Sequence, residues 1–221
     1  MRLHNYINES YNPKYPRTYH LPWSEEVHSD DKTLKDINHL LNKKLTITTK
    51  MDGSNIGISF ETLSSRSGSE PSHSSFDLLK QKYATIKYDI PKDMIIYGEW
   101  LYAVHSIEYD NLDDYLMVFA IYDKNKWYSW NNIVEWSKLL NLHYVPVIKK
   151  NIVFKNEKEM QEITTNLAHK VIKQGHEGIV IRLSGSFKDF SKSTAKFVRK
   201  GHVQSNKHWK FQKIKVQGVK K

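Results

Sequence analysis

The 221-residue chain contains no cysteine, which removes disulfides, thiolate nucleophiles and Cys-ligated zinc or iron–sulfur centres together. It contains no apolar run near the roughly 18 residues that cross a bilayer, and its first twenty residues lack the apolar stretch of a signal peptide. A soluble, intracellular, cytoplasmic protein is expected. Glycine and proline are few, nine and six, so collagen-like and low-complexity architectures are excluded. The eleven histidines are scattered without a ligand spacing such as HExxH. What the chain has in excess is positive charge: 34 Lys and Arg stand against 24 Asp and Glu, a net of +10. A field of that sign attracts polyanions, nucleic acid or nucleotide first among them. With 39% hydrophobic residues a chain of this size can bury one core, and a single domain over 1–221 is expected.

Pro13, Pro16 and Pro22 discourage helix over 1–29, which reads as an extended lead-in. Asp30 or Asp31 can then cap a helix carrying Leu34, Ile37, Leu40 and Leu41, with Lys43 and Lys44 at its C-terminus. The alternating, β-branched LTITT (45–49) predicts a half-buried strand, and NIGISFE (55–61) a second, so KMDGS (50–54) reads as the turn of a hairpin. Ser74 can cap a helix with Phe76, Leu79, Tyr83 and Ile86 on one face. MIIYGEWLY (94–102), YLMVFAIY (115–122), a short stretch near 145–148, EGIVIRL (177–183) and AKFVR (195–199) read as strands, with helices over 131–140 and 157–173. Links of hairpin length outnumber helical crossovers, and the expected class is α+β with mostly antiparallel sheets flanked by helices. From Lys188 to Lys221 there are eleven Lys or Arg against one Asp. Residues 201–221 are expected to be a basic C-terminal tail, and this end of the chain the polyanion surface, with steeply salt-dependent nucleic-acid binding.

Lys50-Met51-Asp52-Gly53-Ser54-Asn55 places an amine, a carboxylate and a glycine at the end of a strand. A lysine is a nucleophile only when deprotonated, which requires desolvation or neighbouring cations such as Lys196 to lower its pKa. Alone, the same six residues read sooner as a surface turn in which Asp-Gly satisfies turn geometry. Glu99 or Glu177 beside a glycine reads as a strand-end carboxylate, Phe119 in an apolar run as core, and Arg66 as a solvated charge. His20, His105, Trp23 and Trp209 read as structural. The order of six such elements along one chain is what distinguishes this sequence.

Those elements resemble the covalent nucleotidyltransferase superfamily of ATP-dependent ligases and capping enzymes, and most closely its RNA ligase branch. Lys50 to Asn55 matches KxDGxN, Ser65-Arg66-Ser67-Gly68 the Arg-containing second motif, and Tyr97-Gly98-Glu99 the hydrophobic-Gly-Glu motif. VFAIYD (118–123) looks like the strand whose aromatic, here Phe119, stacks on adenine. Glu177 to Arg182 matches EGxVxR, and Lys196 with Arg199 and Lys200 stands where the basic last motif belongs. The likeness runs from about residue 15 to 210. A second Lys-x-Lys, Lys213-Ile214-Lys215, lies too far downstream for the family spacing.

The resemblance implies a nucleotidyltransferase domain of the ATP-grasp-like ligase kind. It implies Lys50 as the nucleophile that takes AMP from ATP, with Lys196 and Lys200 or Arg199 on the α-phosphate. Glu177 and Asp52 would hold Mg2+ or Mn2+ or position the lysine, and Arg66, Glu99 and Asn55 would contact the nucleotide. AMP would pass to an RNA 5′-phosphate, and a 3′-OH would displace it, on a nicked duplex or a broken tRNA in RNA repair, with an end-healing enzyme as a possible partner. About 20 residues follow the last motif, too few for a downstream OB-fold, and the short lead-in has no counterpart of the nicotinamide-recognising module of NAD-dependent ligases. A DNA nick ligase of the same chemistry and a non-catalytic basic RNA-binding module are the competing readings.

Overall fold

The computed structural model describes residues 14–27, 31–200 and 214–220. In chain order the elements are β1 (Leu45–Lys50), β2 (Ser54–Ser59), β3 (Leu63–Ser65), α1 (Asp77–Ile86), β4 (Met94–Trp100), β5 (Leu116–Asp123) and β6 (Lys126–Trp127). There follow α2 (Trp130–Leu139), β7 (His143–Tyr144), β8 (Val147–Ile152), α3 (Glu157–Lys173), β9 (Gly178–Leu183) and β10 (Thr194–Val198). The α+β expectation holds, and α3 spans the predicted residues. Its start is set by Asn156, whose side chain accepts from Glu159 N, and its last turn carries Lys170 and Lys173.

The strands form two sheets. One has the order β10-β9-β1-β8, all antiparallel; the other has the order β3-β2-β4-β5-β6, with β7 added to β5 in parallel. The expected β1–β2 hairpin is therefore absent. β1 pairs with β8 and β9, and β2 pairs with β3 and β4, so 51–53 carries the chain from one sheet to the other. β1 is also buried on both faces rather than half-buried, because it is an inner strand of its sheet.

The helix expected after Asp31 does not form. His20 N–H donates to Lys32 O and Leu34 N–H to His20 O, which ties the start of the segment down in extended form. Turns then bring Leu34, Ile37 and Leu40 into the core, so burial at helical spacing is met without helical hydrogen bonds. Before α1, His73 rather than Ser74 supplies the cap, accepting from Ser75 N–H into a short 3-10 turn.

Three apolar clusters result. One packs β2, β4 and β5 against α1 and α2, with Ile56, Leu79, Leu116 and Ile133 at its centre. A second packs β1, β9 and β10 against α3 and against Leu21, Leu34, Ile37 and Leu40, and Trp23 closes it with its indole N–H on Thr164 Oγ1 at 3.0 Å. The third is aromatic and includes Tyr97, Trp127, Phe187 and Phe190, with Tyr15 and Phe119 against it. Residues 214–220, inside the expected basic tail, instead pack against 102–112; residues 201–213, Trp209 and Lys213 among them, lie outside the described residues.

Candidate functional site

Side chains on one face of a sheet recur every second residue, and that rule builds one wall of a cleft. Across β1, β9 and β10 the register sets Thr48 beside Val180 and Val180 beside Lys196. Thr48, Lys50, Val180, Arg182, Thr194 and Lys196 all line a cleft of about 1030 Å³ between the two sheets. The other sheet contributes Asn55, Glu99 and Phe119, Asn55 and Glu99 being direct cross-strand partners.

Lys50 ends β1 opposite Gly178, and its Nζ donates to Glu177 Oε2 at 2.5 Å. The lysine side chain keeps 26% of its surface exposed and the glutamate 5%. Burial pulls the Lys50 ammonium down, but the carboxylates of Glu177, Glu99 and Asp52 outweigh it and hold the pKa above its ordinary value. The sequence reading expected a lowered value. In this arrangement the amine is a cation poised among acids, and its deprotonation requires new positive charge beside it. Glu99 feels the same crowding from the other side: burial first, then Glu177 and Asp52, push its carboxyl up to about 7 against the pull of Lys50. Its Oε1 accepts from Gly53 N–H at 3.1 Å.

Asp52 does not touch the lysine. Its Oδ2 accepts from Ser106 N–H, Ser106 Oγ–H and Ile107 N–H at 2.8, 2.8 and 2.9 Å, and its N–H donates to Tyr109 Oη at 3.0 Å. The carboxylate thus anchors the crossover to the loop after β4. Gly53 is required in the same place, since a Cβ there would lie 2.5 Å from Trp100 O.

Phe119 reaches the cleft through a β-bulge. Tyr97 faces Ala120 and Gly98 faces Val118, so Phe119 is the extra residue and its side chain is re-aimed. Its ring meets Tyr15 edge-on at 5.0 Å, and its carbonyl accepts from Arg182 Nη1 at 3.2 Å. Arg182 is 4% exposed, also donates to Tyr128 O, and lies 5.2 Å from the Phe187 ring. Burial lowers its pKa to about 10.

Lys196 donates to Asp31 Oδ1 at 3.0 Å, and behind Asp31 stand His20 Nε2 at 3.1 Å and, on the other ring nitrogen, Ser24 Oγ at 2.9 Å. Burial holds the Lys196 ammonium below its ordinary value, with Asp31 opposing. Of the other residues read from the sequence, Arg66 lines the cleft from an exposed turn after β3. Arg199 and Lys200 do not line it; Lys200 is exposed, and its N–H lies 3.4 Å from Glu25 Oε2. His105, read as structural, stands on the cleft wall with Nε2 3.4 Å from Ser54 Oγ. Ile214 and Lys215, set aside on spacing, also line it. Asp31, Ser106, Tyr109 and Tyr15 had no sequence signal beyond their types, because each acts across a long span of chain.

Among the described residues no three acidic or His side chains converge as a metal cage. Glu177 fits a divalent ion in another way: Mg2+ and Mn2+ take hard oxygen donors, and Mg2+ is commonly held by one or two carboxylates with substrate phosphates and water completing the shell. No helix of the described residues is long and apolar enough to cross a membrane.

The family model described as RNA ligase matches residues 43–198. No curated protein matches the chain. Among solved structures, an archaeal ATP-dependent RNA ligase is similar at 14% identity and TM-score 0.56, over 84% of this chain and 48% of that one. A putative ATP-dependent DNA ligase from Aquifex aeolicus is similar at 17% identity and TM-score 0.51, over 73% and 45%. A mutant of the Naegleria gruberi RNA ligase with ATP and Mn is similar at 16% identity and TM-score 0.51, over 76% and 53%. The chain spans about half the length of these structures, and at such identities the likeness is one of fold.

Proposed function

The chain belongs to the RNA ligase family, and from that premise we propose that it is an ATP-dependent RNA ligase whose Lys50 carries AMP. The observation that bears most of this reading is the position of Lys50 Nζ: on the cleft wall, 2.5 Å from Glu177, on the same sheet face as Lys196 and across from Phe119.

In the first step the Lys50 amine attacks the α-phosphorus of ATP. The N–P bond forms, the bond to the β-phosphate oxygen breaks, and pyrophosphate leaves. Lys50 starts as an ammonium: one proton passes to Glu177, its hydrogen-bond partner, to free the amine, and the second, shed as the N–P bond forms, leaves with pyrophosphate or to water. Negative charge builds on the non-bridging oxygens, and Lys196, drawn from Asp31, is the cation placed to meet it. Glu177 would hold a divalent ion through its hard carboxylate oxygens, and that ion, when bound, would supply charge offsetting the triphosphate and favouring the neutral amine. Phe119 and Tyr15 offer aromatic faces to the purine, and Asn55 and Glu99 line the way to the ribose. The RNA 5′-phosphate then takes AMP from Lys50, and a 3′-OH attacks that phosphorus and expels AMP.

The deciding experiment is incubation with labelled ATP and Mg2+ or Mn2+, followed by mass spectrometry. One adenylate adduct on Lys50, absent from Lys50→Ala, is expected; no adduct, or one on another residue, overturns the reading. Nicked duplexes ending in a ribose or deoxyribose 3′-OH, assayed side by side, separate RNA from DNA sealing, since the 2′-OH is the local difference. Faster sealing of the ribose end is expected.

A further inference from the structure

We propose that Gln217 is a positioning residue for the adenylylation step, setting the loop that holds Asp52 and, through Asp52, the short crossover that carries Lys50. The proposal rests on Lys50 being the nucleophile.

Gln217 is 3% exposed. Its Oε1 accepts from Tyr109 N–H at 2.6 Å and its Nε2 donates to Ile107 O at 2.8 Å. Of the side chains that size, only an uncharged amide satisfies a buried N–H and a buried C=O at once. The backbone around it follows the loop bond for bond. Val104 N–H donates to Lys215 O, Gln217 N–H to Tyr102 O, Gly218 N–H to Tyr109 O, and Leu112 N–H to Gly218 O, all within 3.0 Å. Gly218 makes the fit possible, for a Cβ there would lie 2.6 Å from Asp110 O.

Ile107 and Tyr109, joined by Ser106, also hold Asp52. Ser106 and Ile107 give its carboxylate three donors, and the Tyr109 hydroxyl takes its N–H. Gln217 therefore fixes Ile107 through its carbonyl and Tyr109 through its amide, while Asp52 is held by the Ile107 amide and the Tyr109 phenol. Remove the amide and two buried backbone groups lose their partners, a state that drives the loop toward water. The donors on Asp52 move with it. Asp52 is two residues from the nucleophile, so a shift there misplaces the amine without removing any nucleotide contact, and small misplacements are costly in rate.

The test uses the full chain and reads the single-turnover rate of AMP transfer to Lys50, well below the unfolding midpoint. Gln217→Met fills the same volume without either bond. It is expected to lower the rate at saturating ATP about tenfold while leaving the nucleotide Kd within about twofold. Gln217→Glu, which keeps only the acceptor for Tyr109, should fall between it and wild type, and it carries the comparison if Gln217→Met does not fold. Lys220→Ala, which removes only an exposed ion pair with Asp113, should label at the wild-type rate. Combining Gln217→Met with Ser106→Ala should cost little beyond Gln217→Met alone, since both act through the bonds to Asp52. Additive losses, a loss confined to Kd, or an equal loss in Lys220→Ala would each reduce Gln217 to a general stabiliser and overturn the proposal. If wild type labels and Gln217→Met labels equally fast, this proposal fails alone; if wild type takes no label, the nucleophile assignment fails and this one with it.

Discussion

Asp31 Oδ1 and Lys196 Nζ meet at 3.0 Å across 165 residues of chain, so the cation expected at the α-phosphate is already paired with an anion. Burial lowers the pKa of Lys196, Lys50 adds to that, and Asp31 and Glu177 oppose it. In Asp31→Asn the largest opposing charge is gone and the pKa falls further. Because Lys196 acts as a cation, the alkaline limb of the adenylylation pH–rate profile is expected to move to lower pH. A profile that superimposes on wild type would show that Asp31 does not govern this lysine.

Glu177 is the group that most strongly raises Lys50, against the lowering effect of burial. Glu177→Gln leaves burial opposed only by Glu99 and Asp52. AMP transfer should drop at least about a hundredfold, yet Lys50 should react with an amine-selective acylating reagent at lower pH than in wild type. Competitive labelling followed by peptide mass spectrometry measures this; slower labelling of the variant at neutral pH contradicts it.

Arg182 holds the carbonyls of Phe119 and Tyr128 from a buried position. Arg182→Met strands two buried acceptors, and the expected loss of unfolding free energy is about 3 kcal/mol. Denaturant melts give that number. Because Phe119 sits at the bulge, ATP binding should weaken as well, in excess of any change at neutral residues of the same sheet.

Glu99 has a folded pKa of about 7 against an ordinary 4.5. A carboxyl raised in this way favours folding while protonated. Wild type therefore loses stability relative to Glu99→Gln as pH rises from about 4.5 through about 7, after which the gap stays constant. The glutamine oxygen can still accept from Gly53 N–H. Melting both proteins between pH 4 and 8 tests the sign, and a wild type that gains stability relative to Glu99→Gln with rising pH refutes it.

The strands and helices with strong periodicity were legible: β4, β5, α2, α3, β9 and β10 lie within about two residues of their expected bounds. Pairing was not. LTITT and NIGISFE are near neighbours in sequence and look like a hairpin, but inner-strand burial of β1 draws it to β8 and β9 instead. The stretch 31–44 has helical spacing, yet its hydrogen bonds go to His20 and to turns. Of the residues singled out in the sequence, Lys50, Glu99, Glu177, Phe119, Lys196 and Arg66 all line one cleft. Asp52 was legible as a motif residue but not as an anchor, and Asp31 and Gln217 not at all, because a residue that works through a partner a hundred positions away leaves no local pattern.

Lys50 closes one sheet and Ser54 opens the other, with Met51, Asp52 and Gly53 the whole span between them. Most loops absorb an inserted residue by bulging outward. This one is pinned at both ends by ladders and in the middle by Ser106 and Ile107, so one extra residue would throw Asn55 to the reverse side of its strand. The stretch has a fixed length as well as a fixed spelling, and an insertion of a single alanine here should be worse than many substitutions.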